Sequence, residues 1–440
     1  VEFGKHIGKG LWAFADKALP AIYGVGFIFF VIRILPETQF GAFALVQTMF
    51  LIVSSSLYAL TIQPLVKFIA EGKSSEKYLM ASLILQVLSF CAVSLFILLW
   101  ADEISALLDP DGVSQLAKLM AYLPPMLAFS YYRSLVLSIM QAKYLIRSIF
   151  FVDAAYFLGM LAAYVVVNYF GKLSEASDIL SLNLICLSFS GIVAYVLSKG
   201  ILDYRGQYDK SAMLEFWNYS KFNFGGSLTS LLFSQADTFI VSAYLGILPT
   251  ATYSAMKIFN KIFDVLNQVI QMFLVPFSAK RDVLKSNAEM KSVAGKTIAF
   301  SSLLLLPLLI SMVAMPHALI QLLYGDRYSN GAGALQLFGL FGLIVPWNSV
   351  IVSYLQGFGR VREGFYAGIC LLLLAFGLYC LLTPIMGFAG TALGMLISFF
   401  LFTEGLRRYL SRMVNIRISD VVVRLHDAVT FAQNLRKNLN

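Results

Sequence analysis

Two lysines, one aspartate, two asparagines and two glutamines interrupt an otherwise apolar stretch, AMKIFNKIFDVLNQVIQMF, at 255–273. Wound as a helix, Lys257, Asn260, Lys261, Asp264, Asn267, Gln268 and Gln271 fall within an arc of about 120°, some four turns long. Ile, Phe, Val, Leu and Met fill the other faces. The chemistry open to such a stripe is binding, by charge and by hydrogen bonds. Lipid cannot be its neighbour, because a Lys or Asp at mid-bilayer costs about 2.5 to 3.5 kcal/mol even on the most permissive scale. The stripe must face protein or water.

A second polar line precedes it, with Asn223, Ser227, Ser230, Ser234 and Asp237 stepping by three and four. A third, without charge, holds Gln47, Thr48, Ser54, Ser55 and Tyr58. Asp237 and Lys261 lie equally far from the connection at 248–250, about 16 Å at 1.5 Å per residue. They can serve transport, or neutralise each other as an intramembrane pair. Asp16 and Lys17 read as interfacial, and Arg33 as a snorkelling anchor.

The elements carrying these lines are membrane helices. The chain has 440 residues, is 59% hydrophobic and 13% charged, and has a mean hydropathy of +0.77, which excludes an ordinary soluble domain. About a dozen apolar runs follow one another, each long enough to cross a ~30 Å hydrocarbon core. The spans are placed at about 11–34, 40–66, 78–100, 115–138, 149–170, 178–198, 221–247, 251–277, 297–315, 333–354, 364–384 and 388–406. No strand-like alternation supports a β-barrel. The expected fold is therefore all-α and integral to the membrane, with twelve helices. Cys91, Cys186, Cys370 and Cys380 all fall inside spans without metal-ligand spacing, so no metal is expected. The first apolar run is too long for a cleavable signal.

Lys and Arg concentrate in alternate connections, including 67–77, 143–147, 199–210, 280–291 and 360–362. That side is expected to be cytoplasmic, with both termini inside. The formal net charge of +9 is then a topology signal with some attraction to anionic membrane lipids, and no nucleic-acid partner is expected.

The chain repeats at a spacing near 213. ILPETQFGAFAL at 34–45 matches ILPTATYSAMKI at 247–258, SALLDPDGVSQLAKL at 105–119 sits beside IQLLYGDRYSNGAGALQL at 320–337, and QAKYLIR at 141–147 matches QGFGRVR at 356–362. Two pseudo-symmetric six-helix bundles around a central cavity are the expected outcome. Their limits are 1–200 and 221–408, with a cytoplasmic linker at 201–220 and a basic amphipathic cytoplasmic tail at 409–440. Prolines such as Pro64, Pro276, Pro307 and Pro346 lie where they can kink spans.

ILPETQFGAFALVQ at 34–47, SQADTFIVSAYLGILPTATYSAMKIF at 234–259 and LLYGDRYSNGAGALQLFGL at 322–340 resemble the polysaccharide-repeat flippases of the multidrug/oligosaccharidyl-lipid/polysaccharide exporter superfamily. The resemblance covers nearly the whole chain. It implies two lobes alternating about a cavity lined by spans one, two, seven and eight, and transfer of undecaprenyl-pyrophosphate-linked oligosaccharide to the outer leaflet of a bacterial plasma membrane. Lys257 and Lys261 would then meet the pyrophosphate, and Asn260, Asn267 and Gln268 the sugar hydroxyls. A monomer is expected, with a glycan polymerase as candidate partner, no cofactor, and a coupling ion of open identity, proton or sodium. Sodium-coupled relatives use Asn and Asp in the eleventh span, but GICLLLLAFGLYCLLTP at 368–384 offers neither, and only Asp237 is retained in kind.

A cation-coupled multidrug exporter of the same superfamily is the rival reading, and it favours an acidic cavity. Peptidoglycan-precursor flippases typically add two further helices. A membrane glycosyltransferase needs a substantial outer domain bearing acids, and the connections here are short. The chain is therefore read as a transporter and not an enzyme.

Overall fold

The computed structural model describes residues 12, 15–16, 19–20, 22–24, 26–71, 73, 75–110, 112, 115–142, 145–171, 174–199, 207–279, 287–417, 419–421 and 424. Most of the first span, the linker at 201–206 and the tail beyond 424 lie outside the described residues, as does Lys17.

The regular elements among the described residues are all helices, with no strand. A π-helical turn at Ile28–Ile32 closes the first span. Beyond it come α1 Glu37–Ala70, α2 Ser75–Leu99, α3 Ala101–Leu108, α4 Leu116–Met120, α5 Leu123–Ala142, α6 Ile146–Tyr169, α7 Ala176–Ser198 and α8 Lys210–Leu245. The remainder is α9 Ile247–Lys257, α10 Asn260–Ala279, α11 Asn287–Ala314, α12 Pro316–Tyr324, α13 Ala332–Gly357, α14 Val361–Met386 and α15 Phe388–Leu410. Among the described residues eight helices are long and apolar enough to cross a membrane, or nine when the bent pair α9 and α10 counts as one span. The chain is a multi-pass membrane protein. Helices α5 and α8 stand where the fourth and seventh spans are expected.

Local chemistry sets the ends. Asp209 caps α8 by accepting from the amides of Ser211 and Ala212, and Glu175 with Asp178 forms a capping box at α7. The seventh and eighth spans are joined by a single residue, Gly246, at φ 83°. A side chain there would be strained, so the reversal uses glycine. Ile247–Thr250, expected in a connection, is already helix.

By internal contact the chain divides into Val1–Ala251 and Thr252–Asn440. The element order repeats: α1, α2, α3, α5, α6, α7 correspond to α9 with α10, α11, α12, α13, α14, α15. Packing repeats with it. In the first unit α5 packs on α1, α2 and α7, and α6 on α7; in the second α13 packs on α10, α11 and α15, and α14 on α15. The sequence repeat is therefore a structural one. Helix α8 lies against α1 and α2 within the first unit.

Helix contacts in lipid gain little from hydrophobicity and depend on close approach of small residues. A Cβ added to Gly390 would stand 2.2 Å from the Leu382 carbonyl oxygen, and one on Gly41 2.4 Å from that of Ile247. The core of the second unit gathers Ile270 and Leu274 of α10, Ile298 of α11, Val350 and Tyr354 of α13, and Leu406 of α15.

Candidate functional site

The polar stripe is not one straight helix, as expected for a span at 251–277. It is split at Ile258 and Phe259, and its limbs bend by 41°. Lys257 ends α9, where the helix dipole favours a cation. Asn260 begins α10. Helix α10 then shows three faces. Phe263, Ile270 and Leu274 are buried against the rest of the unit, with the Phe263 and Phe341 ring centroids 6.2 Å apart. Val265, Val269, Met272 and Phe273 form an exposed apolar face. Beside it lie Lys261, Asp264 and Gln268, exposed, with Asn267 and Gln271 half-buried. Gln271 Nε2 donates to Asn267 Oδ1 at 3.0 Å, one turn apart on the same line. Lys257 is half-buried. Asn260 is 9% exposed, and neither amide atom has a hydrogen-bond partner among the described residues. An amide in that condition is a ready donor and acceptor for a ligand or water.

In the first unit, Thr48 and Ser54 of α1 donate their hydroxyls to their own helix, at Ala44 O (2.7 Å) and Leu51 O (3.3 Å). Gln47 is half-buried and its Oε1 accepts no hydrogen bond among the described residues. On α8, Asn223 Nδ2 donates to Ala59 O at 2.6 Å and to Gln63 Oε1 at 2.8 Å, tying the seventh span to the second. Asp237 is 1% exposed and its Oδ1 accepts from the Thr238 amide at 2.8 Å. Asp237 thus sits in the first unit and Lys261 in the second.

The sequence reading passed over a buried polar cluster. Arg133 of α5 forms an ion pair with Asp153 of α6, and its Nε donates to Ser190 Oγ of α7 at 2.9 Å. The guanidinium lies 5.1 Å from the centre of the Tyr156 ring, whose hydroxyl donates to Asn183 Oδ1 at 3.0 Å. Deeper in, the Tyr23 and Tyr164 hydroxyls are 3.2 Å apart. The signal was present: Arg133 and Asp153 are equidistant from Lys143 in the fourth connection, so an antiparallel hairpin sets them level.

At the basic end of the first unit, Lys73 and the Tyr78 hydroxyl both donate to Glu215, and Lys77 to Asp209. Lys67 lies 3.8 Å from the centre of the Tyr219 ring. Among the described residues no group of His, Cys, Asp and Glu is placed to hold a metal ion. What the stripe offers is a row of ammonium groups, one carboxylate and amides on an accessible face, suited to binding a polar, anionic, hydroxyl-rich molecule.

Comparison with known proteins bears on this arrangement. Residues 30–332 match the family described as polysaccharide biosynthesis protein. A curated relative, the teichuronic acid biosynthesis protein TuaB of Bacillus subtilis (strain 168), is 22% identical over 233 residues, 47% of each chain, so the match spans about half of that relative's length. Among solved structures, lipid II flippase MurJ in an inward closed conformation superposes with a TM-score of 0.75 at 15% identity, over 98% of this chain and 93% of that one. An inward-facing multidrug resistance MATE family transporter of the MOP superfamily gives 0.64 at 12% identity, over 97% and 99%. At such identities the structures speak to the fold: the helical plan of these transporters is the plan of this chain.

Proposed function

The chain belongs to the polysaccharide biosynthesis protein family, and from that premise we propose that it is a flippase moving undecaprenyl-pyrophosphate-linked oligosaccharide units from the inner to the outer leaflet of a bacterial plasma membrane. The observation that carries the reading is the accessible stripe of α9 and α10, where two lysines stand against one aspartate among amides. Lys257 and Lys261 neutralise the pyrophosphate, Asn260, Asn267 and Gln268 bond the sugar, and the polyprenyl chain stays in lipid. The bundles 1–200 and 221–408 rock about a shared cavity, with 201–220 and both termini in the cytoplasm. The repeated packing plan supports two bundles of like design. Gln47, Thr48 and Ser54 are the substrate-binding residues proposed for the first bundle, Gln47 with an acceptor to offer. A monomer, working beside a glycan polymerase, suffices for this cycle.

The rival is a cation-coupled multidrug exporter, favoured by the likeness to a MATE family transporter. A net basic stripe repels cationic drugs, which weighs against it.

The test is flipping in liposomes, with a fluorescent polyprenyl-pyrophosphate oligosaccharide read by quenching from outside. The double variant Lys257→Ala, Lys261→Ala should slow flipping about tenfold or more while remaining folded, given what charged hydrogen bonds contribute. Wild-type flipping by that variant overturns the roles of the two lysines. Export of a cationic dye without flipping overturns the substrate class.

A further inference from the structure

The bend in the eighth span has no proline to cause it. Pro249 sits in the first turn of α9 and Pro276 lies far down α10, whereas α1, α11, α13 and α14 carry internal prolines without such a break. The break is instead marked by a hydrogen bond from outside. The Tyr324 hydroxyl, at the last residue of α12, donates to Ala255 O at 2.8 Å. In an unbroken helix that carbonyl would accept from the Phe259 amide. Here the Phe259 amide turns to Met256 O at 3.4 Å, and Lys261 and Ile262 make tight bonds to Ile258 O (3.1 Å) and Phe259 O (3.1 Å). Such short-period turns rotate the α10 limb relative to the α9 limb.

The surroundings hold the phenol in place. Tyr324 is 1% exposed and meets the Tyr328 ring edge-on, centroids 5.7 Å apart. Gly331 brings the same segment against the α9 limb, where an added Cβ would stand 2.8 Å from Met256 Cγ. The other half of the repeat acts as a control. Its α3 ends at Leu108, capped by Asp109, with no phenol, and α1 runs unbroken through Leu45 and Val46, the counterparts of Ile258 and Phe259 at the repeat spacing. The half that carries the tyrosine is the half whose helix is broken.

We propose that Tyr324 is a positioning residue: its hydroxyl takes the place of the Phe259 amide at Ala255 O, holds the eighth span broken, and so sets the angle at which Asn260, Lys261 and Asp264 are presented relative to Lys257. The link to transport rests on the flippase reading above. The break itself does not.

Tyr324→Phe removes one oxygen and keeps the ring, so the core survives. Without the hydroxyl, the Phe259 amide re-forms its bond to Ala255 O. Hydrogen exchange of the peptide covering 258–261, read by mass spectrometry on protein in nanodiscs, should therefore become slower, by roughly fivefold for one regained backbone bond. A residue that merely held structure together would give faster exchange when altered. Flipping should fall about tenfold at unchanged abundance, since small misplacements of binding groups are costly. Exchange at 258–261 that is unchanged or faster overturns the proposal. Slower exchange with wild-type flipping overturns the positioning role. If the double lysine variant flips normally, the flippase site is wrong, and the exchange result still decides whether Tyr324 holds the break.

Discussion

Lys77 Nζ donates to Asp209 Oδ2 at 2.6 Å, joining the start of α2 to the residue that caps α8. This pair and the Lys73–Glu215 pair beside it anchor α8 to the start of α2 within the first unit. On the flippase reading, Lys77→Cys and Asp209→Cys joined by a short bifunctional thiol reagent, in a background lacking Cys91, Cys186, Cys370 and Cys380, test whether α8 must part from α2 during transport: flipping should stop, and a cleavable reagent should restore it on reduction. Uninhibited flipping in the cross-linked protein would show that α8 and α2 need not part.

The same pairs have a defined pH range. Asp209 is lowered from its ordinary 3.8 first by the Lys77 hydrogen bond and then by the Ala212 and Ser211 amides, and Glu215 from 4.5 first by Lys73 and then by Tyr78. A carboxyl depressed in the folded state stabilises fully above its ordinary value and loses that effect as pH falls through the depressed one. Lys73, raised by Glu215, gives the mirror image: its contribution is complete below 10.5 and lost above its raised value. The difference in melting temperature between wild type and the Asp209→Asn, Glu215→Gln variant should be flat from about pH 5 to 9 and shrink below about pH 4. A difference that changes between pH 5 and 9 would place another titrating group in the cluster.

Arg133→Ala should be among the most damaging changes to the first unit. The Arg133 and Asp153 side chains are 14% and 17% exposed, and removing the guanidinium takes the ion-pair partner from a partly buried carboxylate, at a cost of about 3 to 5 kcal/mol. Arg133→Met with Asp153→Leu removes both charges and should recover most of the loss. Thermal unfolding in detergent reads both, and a double variant no better than the single one would mean that the pair itself does not set the cost.

Gly390→Ala should lower stability by about 1 to 3 kcal/mol, because its new Cβ meets the rigid Leu382 backbone. Gly405→Ala, on the same helix with nothing within 4 Å, should be neutral or mildly stabilising. The two melting temperatures form the comparison, and equal shifts would argue against close approach of α14 and α15.

Hydropathy alone determined that this chain is a bundle of membrane helices, since apolar runs of spanning length leave the backbone no other way to satisfy itself in lipid. The spacing near 213 determined that the plan occurs twice, and the 3.6-residue period placed Lys261, Asp264, Asn267 and Gln271 on one line of α10. Two features were decided only by tertiary structure. The spacing about Lys143 sets Arg133 and Asp153 level, but the closing of their cluster by Ser190 of α7, a helix outside that hairpin, is decided by tertiary packing. The break between Lys257 and Asn260 depends on a hydroxyl 69 residues away, placed by the turn that ends α12. Local sequence specifies a continuous helix there. A donor brought in from another element competes for a backbone carbonyl, and it is that competition, invisible to periodicity, that divides the stripe in two.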